Sequence, residues 1–152
     1  MPNTLQEFLI RSTQNAAKKL EAAVLQLPED RRNWSPMGNA RTALNMVAEC
    51  AILGATTADM IRNRAFPADF DRDAFDREKQ RLANDWPALQ VLLHENNQKA
   101  IAEIATVPDD ALWIEVAMPW GTQTLAEIMA YPYWNMSYHE GQINYIASML
   151  ET

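Results

Sequence analysis

The chain has 152 residues, one cysteine and two histidines, with 20 acidic against 13 basic side chains and a formal net charge of −7 at neutral pH. That length suits one domain over residues 1–152 with its own core, and a lone Cys50 excludes a disulfide framework and fits a reducing, cytoplasmic compartment. The acidic balance argues against nucleic acid or an anionic membrane as partner, and neither a secretory leader nor an uninterrupted apolar run of bilayer length is visible.

With four glycines and little period-two alternation, the sequence predicts a mostly helical chain. A first helix is expected over about residues 3–27, opened by a capping box at Thr4-Leu5-Gln6-Glu7 and stopped by Pro28. Its apolar stripe is Leu5, Leu9, Ala16, Leu20, Ala23 and Leu27. After the breaker Ser35-Pro36-Met37-Gly38, a second helix covers about residues 40–63. A third spans about 73–106, with Asp85-Trp86-Pro87 as a place to kink or restart, since proline removes a donor and aspartate caps. Residues 112–118 followed by Pro119-Trp120-Gly121-Thr122 read as a short strand and turn. The fourth helix begins at Thr124, with Glu127 three residues on, and runs to Leu150. Amphipathic helices of this length, roughly 30 Å each, predict an all-α four-helix bundle with a strand/turn insertion between helices three and four.

Polar residues interrupt two of the core-facing surfaces. Over residues 43–57 the second helix is apolar or small nearly all the way round, and Glu49 is its only charge, with Asn45 one turn earlier on the same face. A carboxylate in such a place costs several kcal/mol, to order of magnitude, unless it is paired, protonated or metal-bound. It is therefore either a hydrogen-bonded structural group, or a metal ligand or general base. On the fourth helix the expected core line is Leu125, Ile128, Pro132, Asn135, His139, Gln142, Ile146 and Met149, apolar at its ends and polar in its middle. Asn135 and His139 stand four residues apart, the spacing that lets two side chains meet on one ion or ligand.

The other candidates carry less. His94, in a very polar stretch, reads as a surface histidine, and Cys50 as a small core residue rather than a nucleophile. Trp113 and Trp120 either cover the core or line a pocket mouth, and the charges of residues 69–78 read as a solvated helix start. Pro132 predicts a local kink beside Asn135 and His139.

Residues 135–142, Asn-Met-Ser-Tyr-His-Glu-Gly-Gln, resemble the H-x-x-x-H-x-G-Q segment on the last helix of the DinB/YfiT-like family. Residues 41–50 resemble that family's second-helix segment, Trp34-Ser35-Pro36 its lead-in, and Met118-Pro119-Trp120-Gly121 with Thr124-Leu125-Ala126-Glu127 the approach to its last helix. The resemblance implies an up-down-down-up bundle in which three histidines hold a divalent metal. Carried over position by position, those three are Glu49, Asn135 and His139, so one histidine remains. A mixed donor set of this kind favours harder ions such as Mn, Fe or Mg over Zn or Ni. Gln142, Asn45 and Arg41 are then expected to orient ligands or touch substrate.

The resemblance further implies a metal-dependent transferase or hydrolase acting on a small-molecule substrate, with a low-molecular-weight thiol as the co-substrate. The alternative is a metal-free bundle that has lost the ion and binds a small ligand or serves a structural role. Homodimerisation through the aromatic stretch Tyr131-Pro132-Tyr133-Trp134 is also expected from the family resemblance.

Overall fold

The computed structural model describes residues 4–150. Five α-helices and one hairpin follow in order: α1 (Leu5–Leu25), α2 (Ala43–Asn63), α3 (Arg72–Leu82), α4 (Trp86–Thr106), β1 (Glu115–Met118), β2 (Gly121–Thr124) and α5 (Leu125–Leu150). The four long helices form the bundle. α1 and α2 each pack against both α4 and α5, and the pairs α1/α2 and α4/α5 touch little, across the diagonals.

Side-chain caps set the boundaries. Thr4 accepts from the Glu7 amide at the head of α1, whose expected start at Asn3 lies outside the described residues. The second helix starts at Ala43, three residues later than expected, because the Thr42 hydroxyl caps the Asn45 amide. The expected third helix is two helices. Asp85 accepts from the Ala88 amide, and Pro87 falls in the first turn of α4, where a missing N–H costs nothing. At α5 the capping box is reciprocal: Glu127 Oε2 accepts from the Thr124 amide at 2.6 Å, while Thr124 Oγ1 accepts from the Glu127 amide at 3.3 Å.

The expected strand over 112–118 is shorter, because Asp109–Ala111 form a turn of 3₁₀-helix and pairing begins only at Glu115. β1 and β2 pair antiparallel around Pro119-Trp120, with Gly121 taking φ 144° at the turn. The buried line of α5 also departs from expectation. Gln142 and Met149 are exposed, and Met136 and Ile143 are buried instead. An α-helix drifts by about 20° per heptad, so a fixed face of 26 residues must change members along its length.

Two apolar clusters fill the bundle. One gathers Leu20, Val24, Val47, Leu93 and Ile143; the other gathers Leu9, Ile61, Ile104, Leu125 and Met129. On each long helix a buried polar residue falls between the two sets: Thr13 on α1, Thr57 on α2, Asn96 and Asn97 on α4, and Asn135 on α5. α2 is long and apolar enough, by length and composition alone, to cross a membrane, although no uninterrupted apolar run was found in the sequence. Here 61% of its most apolar window is buried among the other helices.

Candidate functional site

α2 and α5 bring the two suspected residues together. Glu49 Oε1 lies 3.0 Å from His139 Nε2, and the imidazole is only 3% exposed. The other carboxylate oxygen, Oε2, lies 2.8 Å from Arg41 Nη1 and 4.0 Å from Lys79 Nζ. Arg41 is itself held in place: Nε donates to Asn45 Oδ1 at 2.8 Å and Nη2 donates to the Asn45 carbonyl at 3.2 Å. Arg41, Asn45 and Glu49 recur every four residues, so α2 and its lead-in present them as one ladder. On the far side of the imidazole, Nδ1 lies 2.6 Å from Gln142 Oε1, one turn along α5.

Burial pushes the Glu49 carboxyl upward, but the hydrogen bond from His139 and the charges of Arg41 and His139 outweigh it. The group titrates at about 2 and is ionised at neutral pH. Burial pushes the Tyr131 phenol up to about 12, with the charge of Glu49 adding to it, so its hydroxyl stays protonated. The Cys50 thiol is raised by burial and is no nucleophile.

Asn135 is buried and on the expected face, and its amide nitrogen donates to Cys50 Sγ at 3.6 Å. His94 is exposed, as its polar surroundings suggested. Lys79 escaped sequence reasoning. It sits in a charged helix and yet is 6% exposed, with Nζ 2.8 Å from Asp76 and 4.5 Å over the Phe75 ring. The signal was available in the spacing of Phe75, Lys79 and Leu82, which place one face of α3 inward.

A divalent ion held by Glu49, Asn135 and His139 needs free lone pairs converging on one point. Both Glu49 oxygens are already engaged, one by a guanidinium that cannot lose its charge and the other by His139 Nε2 itself. Among the described residues no group of three or more His, Cys, Asp or Glu side chains is placed to hold a metal. As arranged, the donor set does not suit a divalent cation, because Arg41 already supplies the positive charge that Glu49 requires.

Two spaces flank the pair. His139, Gln142, Arg41 and Tyr138 line an open cleft of about 810 Å³. Glu49 lines a more closed cavity of about 270 Å³, shared by α2, α3, the hairpin and α5. Glu49 thus lines the cavity and His139 the cleft, and the two are joined by their 3.0 Å contact.

No family model matches the chain, and no curated protein matches it. Solved structures do. Two structures of mycothiol-dependent maleylpyruvate isomerase, one of them a mutant, superpose with TM-scores of 0.72 and 0.74 at 13% identity, covering 94% of this chain. The chain spans only 61% of the isomerase's length. The colibactin self-resistance protein ClbS, solved in complex with dsDNA, matches at TM-score 0.69 and 18% identity over 99% of both chains. A DinB-like protein of Bacillus subtilis, YjoA, matches at TM-score 0.66 and 14% identity, covering 95% of this chain and 93% of that one. The chain has the fold of the DinB-like proteins.

Proposed function

We propose that this DinB-type bundle carries a small-molecule site at the α2–α5 seam, where His139 moves protons and Arg41 takes the electrostatic place of a metal. The observation that carries the reading is the unbroken relay Asn45–Arg41–Glu49–His139–Gln142 opening onto a cleft. Glu49 accepts the Nε2 proton, fixes the ring and stabilises the imidazolium, as a carboxylate does beside a catalytic histidine. Nδ1 then gives or takes a proton at the cleft, with the exposed Gln142 amide free to turn between accepting from it and donating to it.

A low-molecular-weight thiol is the natural co-substrate, in line with the fold shared with a mycothiol-dependent enzyme. Its S–H proton passes to Nδ1, the sulfur attacks an electrophilic carbon, and the proton returns to the displaced or newly basic atom. The proposed test combines cysteine, N-acetylcysteine or glutathione with 1-chloro-2,4-dinitrobenzene. A rate above background that withstands EDTA is expected; no acceleration with any of the three thiols would count against transfer, and EDTA sensitivity against metal independence.

The up-down-down-up course fits this reading. Gln26 near the end of α1 reaches Asn144 near the end of α5, and Arg62 reaches Glu103 at the ends of α2 and α4. Gln6, at the start of α1, bonds Val107 at the end of α4. A metal held by Glu49, Asn135 and His139 is the second reading, favoured by the meeting of Glu49 and His139 from facing helices. It requires Arg41 to swing away, and elemental analysis of protein purified without chelator tests it. Self-association is proposed through the exposed stack of Trp134 on Tyr138, whose rings lie 5.4 Å apart; mass in solution decides it.

A further inference from the structure

The cavity on the Glu49 side rests on the core residues Met60 and Ile128 and is walled above them by rings. Four rings run in contact around it: Trp120 to Phe66 at 5.5 Å, Phe66 to Phe70 at 5.4 Å, and Phe70 to Phe75 at 5.7 Å. They come from the hairpin, the loop after α2, and α3. Trp120 is 66% exposed and Phe70 39%, so these rings face an opening rather than a core. At about 30 Å³ per water, about 270 Å³ holds roughly nine waters, the room taken by one or two fused aromatic rings.

Charge decides the class of occupant. Aromatic walls above a carboxylate suggest a cation, but both features are already served from inside. Lys79 Nζ lies 4.5 Å from the Phe75 ring and Arg72 lies 6.0 Å from it, while Glu49 is paired with Arg41. An anion fares no better, since Arg72 and Lys79 both lean on Asp76. What remains unserved is a donor. Tyr131 lines the cavity, and its hydroxyl stays protonated and makes no hydrogen bond to another described residue.

We infer that the cavity binds an uncharged, flat apolar molecule one or two rings wide, stacked among Trp120, Phe66, Phe70 and Phe75, with a carbonyl oxygen accepting from Tyr131. This binding claim is separate from the proposed function, whose thiol would lie on the cleft side of the Glu49–His139 pair. The binding itself needs no chemistry, so the two claims separate.

Calorimetry on the whole protein with three probes of one shape tests the inference: 2-acetonaphthone, 2-naphthoate and trimethyl(2-naphthyl)ammonium. The neutral ketone is expected to bind at least tenfold more tightly than either ion. Tyr131→Phe should weaken the ketone about five- to tenfold. Thr56→Phe, or Gln123→Trp from the hairpin should one variant fold poorly, fills the cavity and should abolish binding at an unchanged melting temperature. His139→Ala should leave ketone binding intact while removing thiol transfer, which distinguishes failure of the binding claim from failure of the proposed reaction. Preference for either ion, no binding of the ketone, or binding that survives both filled cavities would overturn the inference.

Discussion

α2 makes two polar seams, and they differ in what surrounds them. Against α4, Asn96 is 4% exposed, donates to the Ala51 carbonyl at 2.8 Å, and accepts from Lys99 at 3.1 Å. The helices are close there because residue 54 is glycine: a Cβ on it would stand 3.2 Å from the backbone carbon and oxygen of Asn96. Against α5, Glu49 and His139 are equally well bonded, but one faces a cavity and the other a cleft. A buried polar residue is thus no sign of a site by itself. The α4 seam is a closed lock between helices, whereas the α5 seam keeps titratable groups within reach of a ligand.

The largest expected effect follows from that contrast. His139→Ala should lower thiol transfer per folded molecule by about 100-fold or more, in the range of general acid–base contributions, and cost about 1–3 kcal/mol in stability because Glu49 loses a buried partner. Steady-state rates and urea unfolding of the same variant check both halves. Gly54→Val should act on stability alone: forced against the Asn96 backbone, it is expected to cost about 3 kcal/mol, or a drop of roughly 10 °C in Tm, with little change in the rate per folded molecule.

A third prediction concerns pH. Glu49 titrates at about 2 in the folded chain, below its ordinary value of 4.5. A lowered folded pKa gives stability that is complete above pH 4.5 and lost as pH falls toward 2, about 2 kcal/mol after allowance for partial exposure. Urea unfolding of Glu49→Gln should therefore lie well below wild type at pH 7, remain below it at pH 3, and converge with it only near pH 2. Parallel curves would show that the Arg41–Glu49–His139 network does not stabilise the fold.

The smallest effect belongs to neither seam. The Thr57 hydroxyl is fully buried and lacks a hydrogen-bond partner, so Thr57→Val should raise stability by about 1 kcal/mol, seen as a rise of about 3 °C in Tm.

The open seam was legible in the sequence and the closed one was not. Glu49 and His139 break strongly apolar surfaces on two helices, and a lone charge in such a run is conspicuous. Asn96 and Asn97 sit in a polar stretch, where nothing local distinguishes a buried amide from a solvated one. Thr124 with Glu127 and Asp85 before Pro87 announced helix starts because capping is chemistry within four residues. The aromatic cavity depends on three segments brought together by tertiary packing; of the two tryptophans expected at a pocket mouth, Trp120 lines it and Trp113 does not. Arg41 was foreseen near the site, but its grip on Glu49 depends on a ladder that side-chain geometry alone reveals.

The central claim is that Arg41, not a divalent ion, balances Glu49. Thermal unfolding of the wild-type protein in EDTA, and with millimolar Mn, Zn or Ni added, tests it most directly. A micromolar metal site at such concentrations adds about 4 kcal/mol, or roughly 10 °C in a chain of this size. With Arg41 in that place, Tm stays within about 1 °C across all four conditions; a rise of about 10 °C with any of these ions would show that Glu49 takes a metal instead.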